Sequence, residues 1–317
     1  MKRYYRYSDY LKEKYGEKVY KLPVNLGVSC PNRDGTLGEG GCHFCGEEAA
    51  GFENLPHSLS VREQLEKNKA YIGKKYGVQK FIAYFQNYSN TYLPLEQLLS
   101  YVEEALTVDG LVEIALSTRP DCICEEYISA LIALLADQKP FVRLSMEYGL
   151  QTVNYHTLNA ANRGHTLAEF INAVLLSKKY ALDVTTHLIL NLPGEERIDA
   201  VENAKVLSAL EVDTVKLHAL YIREGTVFAR KYRGGELKIM PLMEYVDRVV
   251  LFLEHLSPGI AVQRLLGRAP QKGTLFANWD RSWWKIHELI LAEMEKRETY
   301  QGKYFDYLNG KALRRFK

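Results

Sequence analysis

A chain of 317 residues, 47% hydrophobic and 25% charged, has the make-up of a globular protein and length enough for one large α/β domain with an appendage. No stretch approaches the ~18 apolar residues of a membrane helix, and Met1-Lys2-Arg3-Tyr4-Tyr5-Arg6-Tyr7 lacks the apolar core of a signal peptide. A cytoplasmic protein with no membrane partner is therefore expected. Five cysteines are too few for a disulfide scaffold, so closely spaced thiols read as metal or redox groups. The net charge is +2, yet residues 223–317 carry 18 Lys/Arg against 11 Asp/Glu. A basic C-terminal third suits a polyanion such as RNA, or equally a solvated helical surface.

The first expected strand is Val24–Ser29. Three thiols follow it in a glycine-rich loop, Cys30-Pro31-Asn32-Arg33-Asp34-Gly35 and on to Gly40-Gly41-Cys42-His43-Phe44-Cys45, a C-x11-C-x2-C spacing. Glycines let a backbone crowd a bulky centre, and loops after the strands of βα units form the active-site face. Three thiolates on an iron–sulfur cube leave one iron open to a non-protein ligand. A structural zinc site is the rival, since Cys42 and Cys45 also have zinc-knuckle spacing.

Further strands are expected at Lys80–Phe85, Val112–Ser117, Val142–Glu147, Val184–Leu190 and Thr214–Ala219, with amphipathic stretches between them. Ser60 with Glu63, and Thr166 with Glu169, read as capping boxes. Pro94 and Pro241 stand where first-turn prolines belong, ahead of Leu95–Leu106 and Leu242–Leu256. Six such units with right-handed crossovers predict an α/β fold, a partial open (β/α)6 TIM-type barrel, with a flat doubly wound sheet as the second choice. Residues 1–258 form the expected barrel core with its N-terminal extension. Residues 259–317 form a basic helical extension packed on it, including a helix over Arg281–Tyr300 with Trp283, Trp284, Ile286, Leu289, Ile290 and Met294 as its apolar stripe. Cys122 and Cys124, after the third strand, suit a packed pair of thiols better than a second cluster.

With Phe44 just before its last cysteine, the three-thiol loop resembles that of radical S-adenosylmethionine enzymes, although the first gap is longer than the usual one. Cys30-Pro31-Asn32-Arg33-Asp34-Gly35 with Gly40-Gly41-Cys42-His43-Phe44-Cys45 resembles the YhcC/YtqA family, relatives of the Elongator catalytic subunit. Ser117-Thr118-Arg119-Pro120-Asp121, Glu147-Tyr148-Gly149-Leu150-Gln151, Arg163-Gly164-His165 and Leu192-Pro193-Gly194-Glu195 fit as well, so that the likeness spans almost the entire chain. It implies a radical SAM barrel, one 4Fe–4S cluster on Cys30, Cys42 and Cys45, S-adenosylmethionine as cofactor, and a reducing partner such as flavodoxin or ferredoxin. It also implies reductive cleavage of S-adenosylmethionine to a 5′-deoxyadenosyl radical, and tRNA as the partner through its wobble uridine. A radical enzyme for a small metabolite and a zinc-bearing RNA-binding protein are the alternatives.

For the cofactor, Phe44, Gln86, Tyr88, Ser89 and Asn90 stand where the family binds the amino group and its surroundings. The likeness to oxygen-independent coproporphyrinogen oxidases puts Arg163 on the methionyl carboxylate, Gln151, Ser117 and His187 near the ribose, and Leu217 near the adenine. Glu147 and His165 either face the substrate or brace the loops, and His218 reads as structural. Phosphate contacts are expected from Arg297, Lys303, Lys311, Arg314, Arg315 and Lys317.

Overall fold

The computed structural model describes residues 2–46, 54–270 and 272–316. A short helix α1 (Tyr7–Tyr15) precedes β1 (Val19–Val24). Alternation then runs through α2 (Val61–Tyr76), β2 (Lys80–Phe85), α3 (Leu95–Leu106), β3 (Leu111–Thr118), α4 (Glu125–Gln138) and β4 (Arg143–Gln151). It continues with α5 (Tyr155–Ala160), α6 (Leu167–Lys179), β5 (Asp183–Ile189), α7 (Arg197–Ala209) and β6 (Thr214–His218). The last elements are β7 (Ile222–Arg223), α8 (Val227–Arg233), α9 (Leu242–His255), β8 (Ala261–Arg264), β9 (Thr274–Phe276) and α10 (Trp283–Lys296).

Seven strands pair in the order β1-β2-β3-β4-β5-β6-β8, every pair parallel, and β7 pairs antiparallel with β9 in a separate ribbon. The sheet is curled, not flat. Lys21 on the first strand donates to Gln263 Oε1 on the last at 3.0 Å, and Lys216 on β6 donates to Tyr84 OH on β2 at 2.9 Å. Those bonds cross the concave face, as in a partial barrel. Six strands were expected. The seventh, β8, comes from residues past Gly259, where a four-residue strand is too short to show a period.

Side chains alternate across each strand. Leu22, Phe85, Leu116, Met146, Leu188 and Leu217 face outward into the main core under the helices. The inward face is polar, with Lys21, Glu113, Glu147, His187, Lys216 and Gln263. Helix α1 closes its lower end, where Leu11 joins Val19, Ile82, Tyr84 and Ala115 in a small inner core. There Lys14 Nζ meets Glu113 Oε2 at 3.0 Å and also pairs with Asp183; Tyr15 donates to Glu113, and Tyr10 to Asp183.

Both capping boxes form, Ser60 with Glu63 and Thr166 with Glu169. Pro94 and Pro241 sit one position earlier than expected, as N-caps. The first strand is also displaced, from Val24–Ser29 to Val19–Val24. It tolerates Pro23 because β1 is the edge of the sheet, where a missing N–H costs no ladder bond. The ladder stops after Val24 because the backbone of Asn25 exchanges hydrogen bonds with the Gln64 side chain. Gly27 then turns with φ +66, and a Cβ there would lie 2.8 Å from the His57 ring. Along α10, Ile286, Ile290 and Met294 are fully buried, whereas Trp283 and Trp284 remain 40% and 47% exposed. No helix among the described residues is long and apolar enough to cross a membrane.

Candidate active site

At the C-terminal ends of the strands, opposite the α1 plug, lies a cavity of ≈ 530 Å³. The loop after β1 supplies one wall. Its shape is fixed by short backbone bonds, Arg33 N to Cys30 O at 2.8 Å, Cys45 N to Cys42 O at 2.9 Å and Gly41 N to Asn32 O at 2.8 Å. Asn162, after α5, donates to Gly41 O at 2.9 Å, and Asn32 donates back to Asn162 O at 2.7 Å. Gly164 makes this docking possible. It has φ +73, and a Cβ would stand 2.5 Å from Asn32 Oδ1. The Arg163-Gly164-His165 run thereby clamps the cysteine loop.

Cys30, Cys42 and Cys45 all face the cavity, the first two buried and the third half-buried, and none is in a disulfide. Arg163 aims Nη1 at Cys42 Sγ at 3.1 Å and Nη2 at Gly149 O at 2.5 Å, while its buried Nε has no hydrogen-bond partner. Burial and the neighbouring Cys42 thiol push the Cys45 thiol up to about 11, with Arg33 and Arg163 opposing. Among the described residues, no three His, Cys, Asp or Glu side chains converge on a point as one metal ion requires. Three thiols lining one cavity fit a multi-iron cluster, whose ligands bind separate irons and leave one iron open. The donor set thus fits a 4Fe–4S cluster, with the orphaned Arg163 Nε beside it as a ready donor to a carboxylate.

Of the expected cofactor residues, Phe44, Gln86, Tyr88, Ser117, Gln151, Arg163 and His187 line the cavity with the cysteines. Phe44 packs on Phe228 of α8, ring centroids 6.4 Å apart. Gln151 adopts φ +78, backbone strain of the kind that collects at functional sites. Three expected residues are not on the wall. Ser89 is buried against Thr118 Oγ1 at 2.8 Å and the Arg119 amide. Asn90 is buried beneath, donating to Phe85 O at 3.0 Å and Ser117 O at 2.8 Å. Leu217 points outward into the core because strand alternation turns its neighbours Lys216 and His218 inward.

His218, read as structural, also borders the cavity, where Arg264 Nη2 meets its ring at 2.9 Å. His165 braces the clamp between Gly149 O at 3.2 Å and Thr166 O at 3.3 Å. Glu147 lies below the cavity and accepts from His187 Nε2 at 2.8 Å. Burial alone would raise its pKa, but Lys21, Lys216 and His187 together hold it well below the usual carboxylate range. Cys122 is half-buried beside Asp121, Cys124 is exposed ahead of α4, and neither reaches the cavity.

Not anticipated in the lining were Arg33, Arg119, Lys216, Arg264, Arg268 and Trp283. No Asp or Glu among the described residues faces the cavity. The tail cations are more committed than expected: Arg297 pairs with Asp247 and Glu293, Lys311 and Arg314 with Asp306. Lys303 lies 3.5 Å from Glu298 O, Arg315 stacks on Phe316, and Lys317 falls outside the described residues.

Known proteins bear on this geometry in three ways. Family profiles described as "Radical SAM superfamily" and "Radical_SAM C-terminal domain" match residues 24–207 and 212–296. YtqA of Bacillus subtilis is 34% identical over 307 residues, 97% of this chain and 94% of that one. A tRNA uridine(34) acetyltransferase of Methanocaldococcus jannaschii is 29% identical over 150 residues, 44% of this chain and 26% of that protein. In fold, the chain resembles the Methanocaldococcus infernus Elp3 lacking its N-terminus, with a TM-score of 0.69 at 17% identity over 89% of this chain and 64% of that one. With three cysteines at the mouth of a curled parallel sheet and a relative matching nearly end to end, the chain belongs to the radical SAM superfamily, in the family of YtqA.

Proposed function

We propose that the chain binds a 4Fe–4S cluster through Cys30, Cys42 and Cys45 and uses it to cleave S-adenosylmethionine reductively. The substrate is the tRNA wobble uridine, whose carboxymethylaminomethyl group is remodelled to aminomethyl. When bound, the cluster and S-adenosylmethionine supply a 5′-deoxyadenosyl radical, formed with one electron from a donor such as flavodoxin or ferredoxin, for hydrogen abstraction. The convergence of the three thiols and Arg163 on one cavity carries this reading.

The chain's own residues do the positioning. The Arg163 fork, already held by Gly149 O, would take the methionyl carboxylate. Gln151, Ser117 and His187 would face the ribose from the ends of β4, β3 and β5. Gln86 and Tyr88 would flank the amino group. The curled sheet and the α1 plug keep water from the lower end, which suits a reactive radical.

Three observations support a tRNA substrate: the likeness to a tRNA uridine(34) acetyltransferase, a cavity lined by arginines and lysine, and the exposed Trp283 in its lining. A base reached at this depth must be splayed from its loop. Anaerobically reconstituted protein with dithionite should form 5′-deoxyadenosine, and Cys30→Ala, Cys42→Ala or Cys45→Ala should abolish it together with bound iron. tRNA nucleosides from cells lacking the gene should accumulate the carboxymethylaminomethyl form. An unchanged nucleoside profile alongside active cleavage would move the substrate to a small metabolite.

A further inference from the structure

The inner wall below the cavity holds more positive charge than its one carboxylate balances. Glu147, 1% exposed, accepts at Oε1 from Lys21 and, at 3.3 Å, from Gln263, and at Oε2 from His187. His187 is held down to about 4 by burial and by Lys216, so it is a neutral donor at pH 7. Lys21 therefore neutralises Glu147. Lys216 is the surplus cation: it is 7% exposed, it shares Glu147 with Lys21 through a longer ion pair, Nζ to Oε2 at 3.6 Å, and it donates to Tyr84 OH at 2.9 Å. An ammonium has three donors, and this one faces the cavity beside His218 and Arg264. Burial, with Lys21 and Arg264 nearby, pulls Lys216 well below the usual lysine range although Glu147 opposes, as befits a buried cation that shares its carboxylate with Lys21.

We infer that Lys216, flanked by His218 and Arg264, is the receptor for an anionic group on the substrate, a carboxylate in the nucleoside proposed above. The subsite deepens that reading and rests on it. It is set apart from Arg163, which stands against Cys42 on the cysteine wall, whereas Lys216 and His218 come from β6. The cavity would thus hold two carboxylates, the cofactor's on Arg163 and the substrate's on Lys216.

Binding of 5-carboxymethylaminomethyluridine and 5-aminomethyluridine to reconstituted protein, each by equilibrium dialysis, tests the assignment. A charge-assisted bond gives the wild type about a tenfold or greater preference for the carboxylate form. Lys216→Met should erase that preference, and Lys216→Arg should keep part of it, showing that charge and not shape is read. An undiminished preference in Lys216→Met would overturn the inference. So would a loss of S-adenosylmethionine affinity with the nucleoside preference intact, because the lysine would then serve the cofactor. The nucleoside comparison decides the inference even if the wild type forms no 5′-deoxyadenosine, a result that would fall on the proposed reaction alone.

Discussion

The two ends of the barrel interior are both built from buried ions, with opposite bookkeeping. At the closed end, Lys14 serves two carboxylates, Glu113 and Asp183, and the hydroxyls of Tyr15 and Tyr10 satisfy what it leaves over. At the open end one carboxylate, Glu147, faces Lys21, Lys216 and the neutral His187. The closed end is internally complete and α1 seals it. The open end is left incomplete where the cavity begins. A buried ion pair is weak evidence for stability, so the useful question is which charges lack a partner. At the closed end the surplus is a carboxylate met by hydroxyls; at the open end it is a cation, Lys216, and it faces the ligand space.

Stability measurements can break this comparison. Lys14→Met leaves the buried Glu113 and the half-buried Asp183 without their cation and should cost about 3 kcal/mol in urea unfolding, while 5′-deoxyadenosine formation persists because the cavity is at the other end. Next in size is a pH effect. An unfolded chain protonates His187 near the ordinary value of 6.5, the folded protein only near about 4. The stability contributed by the neutral ring is therefore complete above pH ~6.5 and is lost as pH falls through that window. In His187→Gln the slope of unfolding free energy between those values should flatten by about 1.4 kcal/mol per pH unit, one proton's worth. An unchanged slope would mean that the imidazole is not held neutral. Smaller still is Lys216→Met, for which unfolding free energy should change by under ~1 kcal/mol or rise, since Glu147 retains Lys21. A loss as large as that of Lys14→Met would make Lys216 a structural ion, and the two ends alike.

Much of this was legible in the sequence, for identifiable reasons. The βα alternation and both capping boxes show because outward faces are apolar and caps need specific hydroxyls and carboxylates. The cysteine loop shows because its spacing is chemically narrow. The inner wall did not show. In Thr214-Val215-Lys216-Leu217-His218 the likeness to coproporphyrinogen oxidases put Leu217 near the adenine, yet a parity of one residue sends Leu217 to the core and Lys216 to the cavity. Partners for Lys21, Glu147 and Lys216 come from different strands, and sequence separation carries no sign of them. Ser89 and Asn90 were misplaced for a similar reason: polar residues after a strand can cap the loop's own backbone as well as a ligand. The α10 stripe was read as wholly apolar packing, though Ile286, Ile290 and Met294 are fully buried, Leu289 is half-buried against the core, and Trp283 and Trp284 stay exposed.

That last difference supplies the smallest effect. At the closed end the aromatic side chains of Tyr10 and Tyr15 are tied to carboxylates and shut in, whereas at the open end Trp283 lines the cavity and stays 40% exposed. A half-exposed indole in the first turn of α10, beside Arg268 and next to Trp284, offers a flat face to a base splayed from an RNA loop. Stacking of this kind is sequence-tolerant and worth about 1 kcal/mol or somewhat more per base. Trp283→Ala should therefore weaken binding of an anticodon stem-loop about fivefold, and Trp283→Phe should keep most of the affinity. Because no phosphate contact is lost, the dependence of binding on salt should stay parallel to that of the wild type. A changed salt slope would assign the loss to a displaced cation, and equal affinities in all three proteins would leave the open rim without a base to hold.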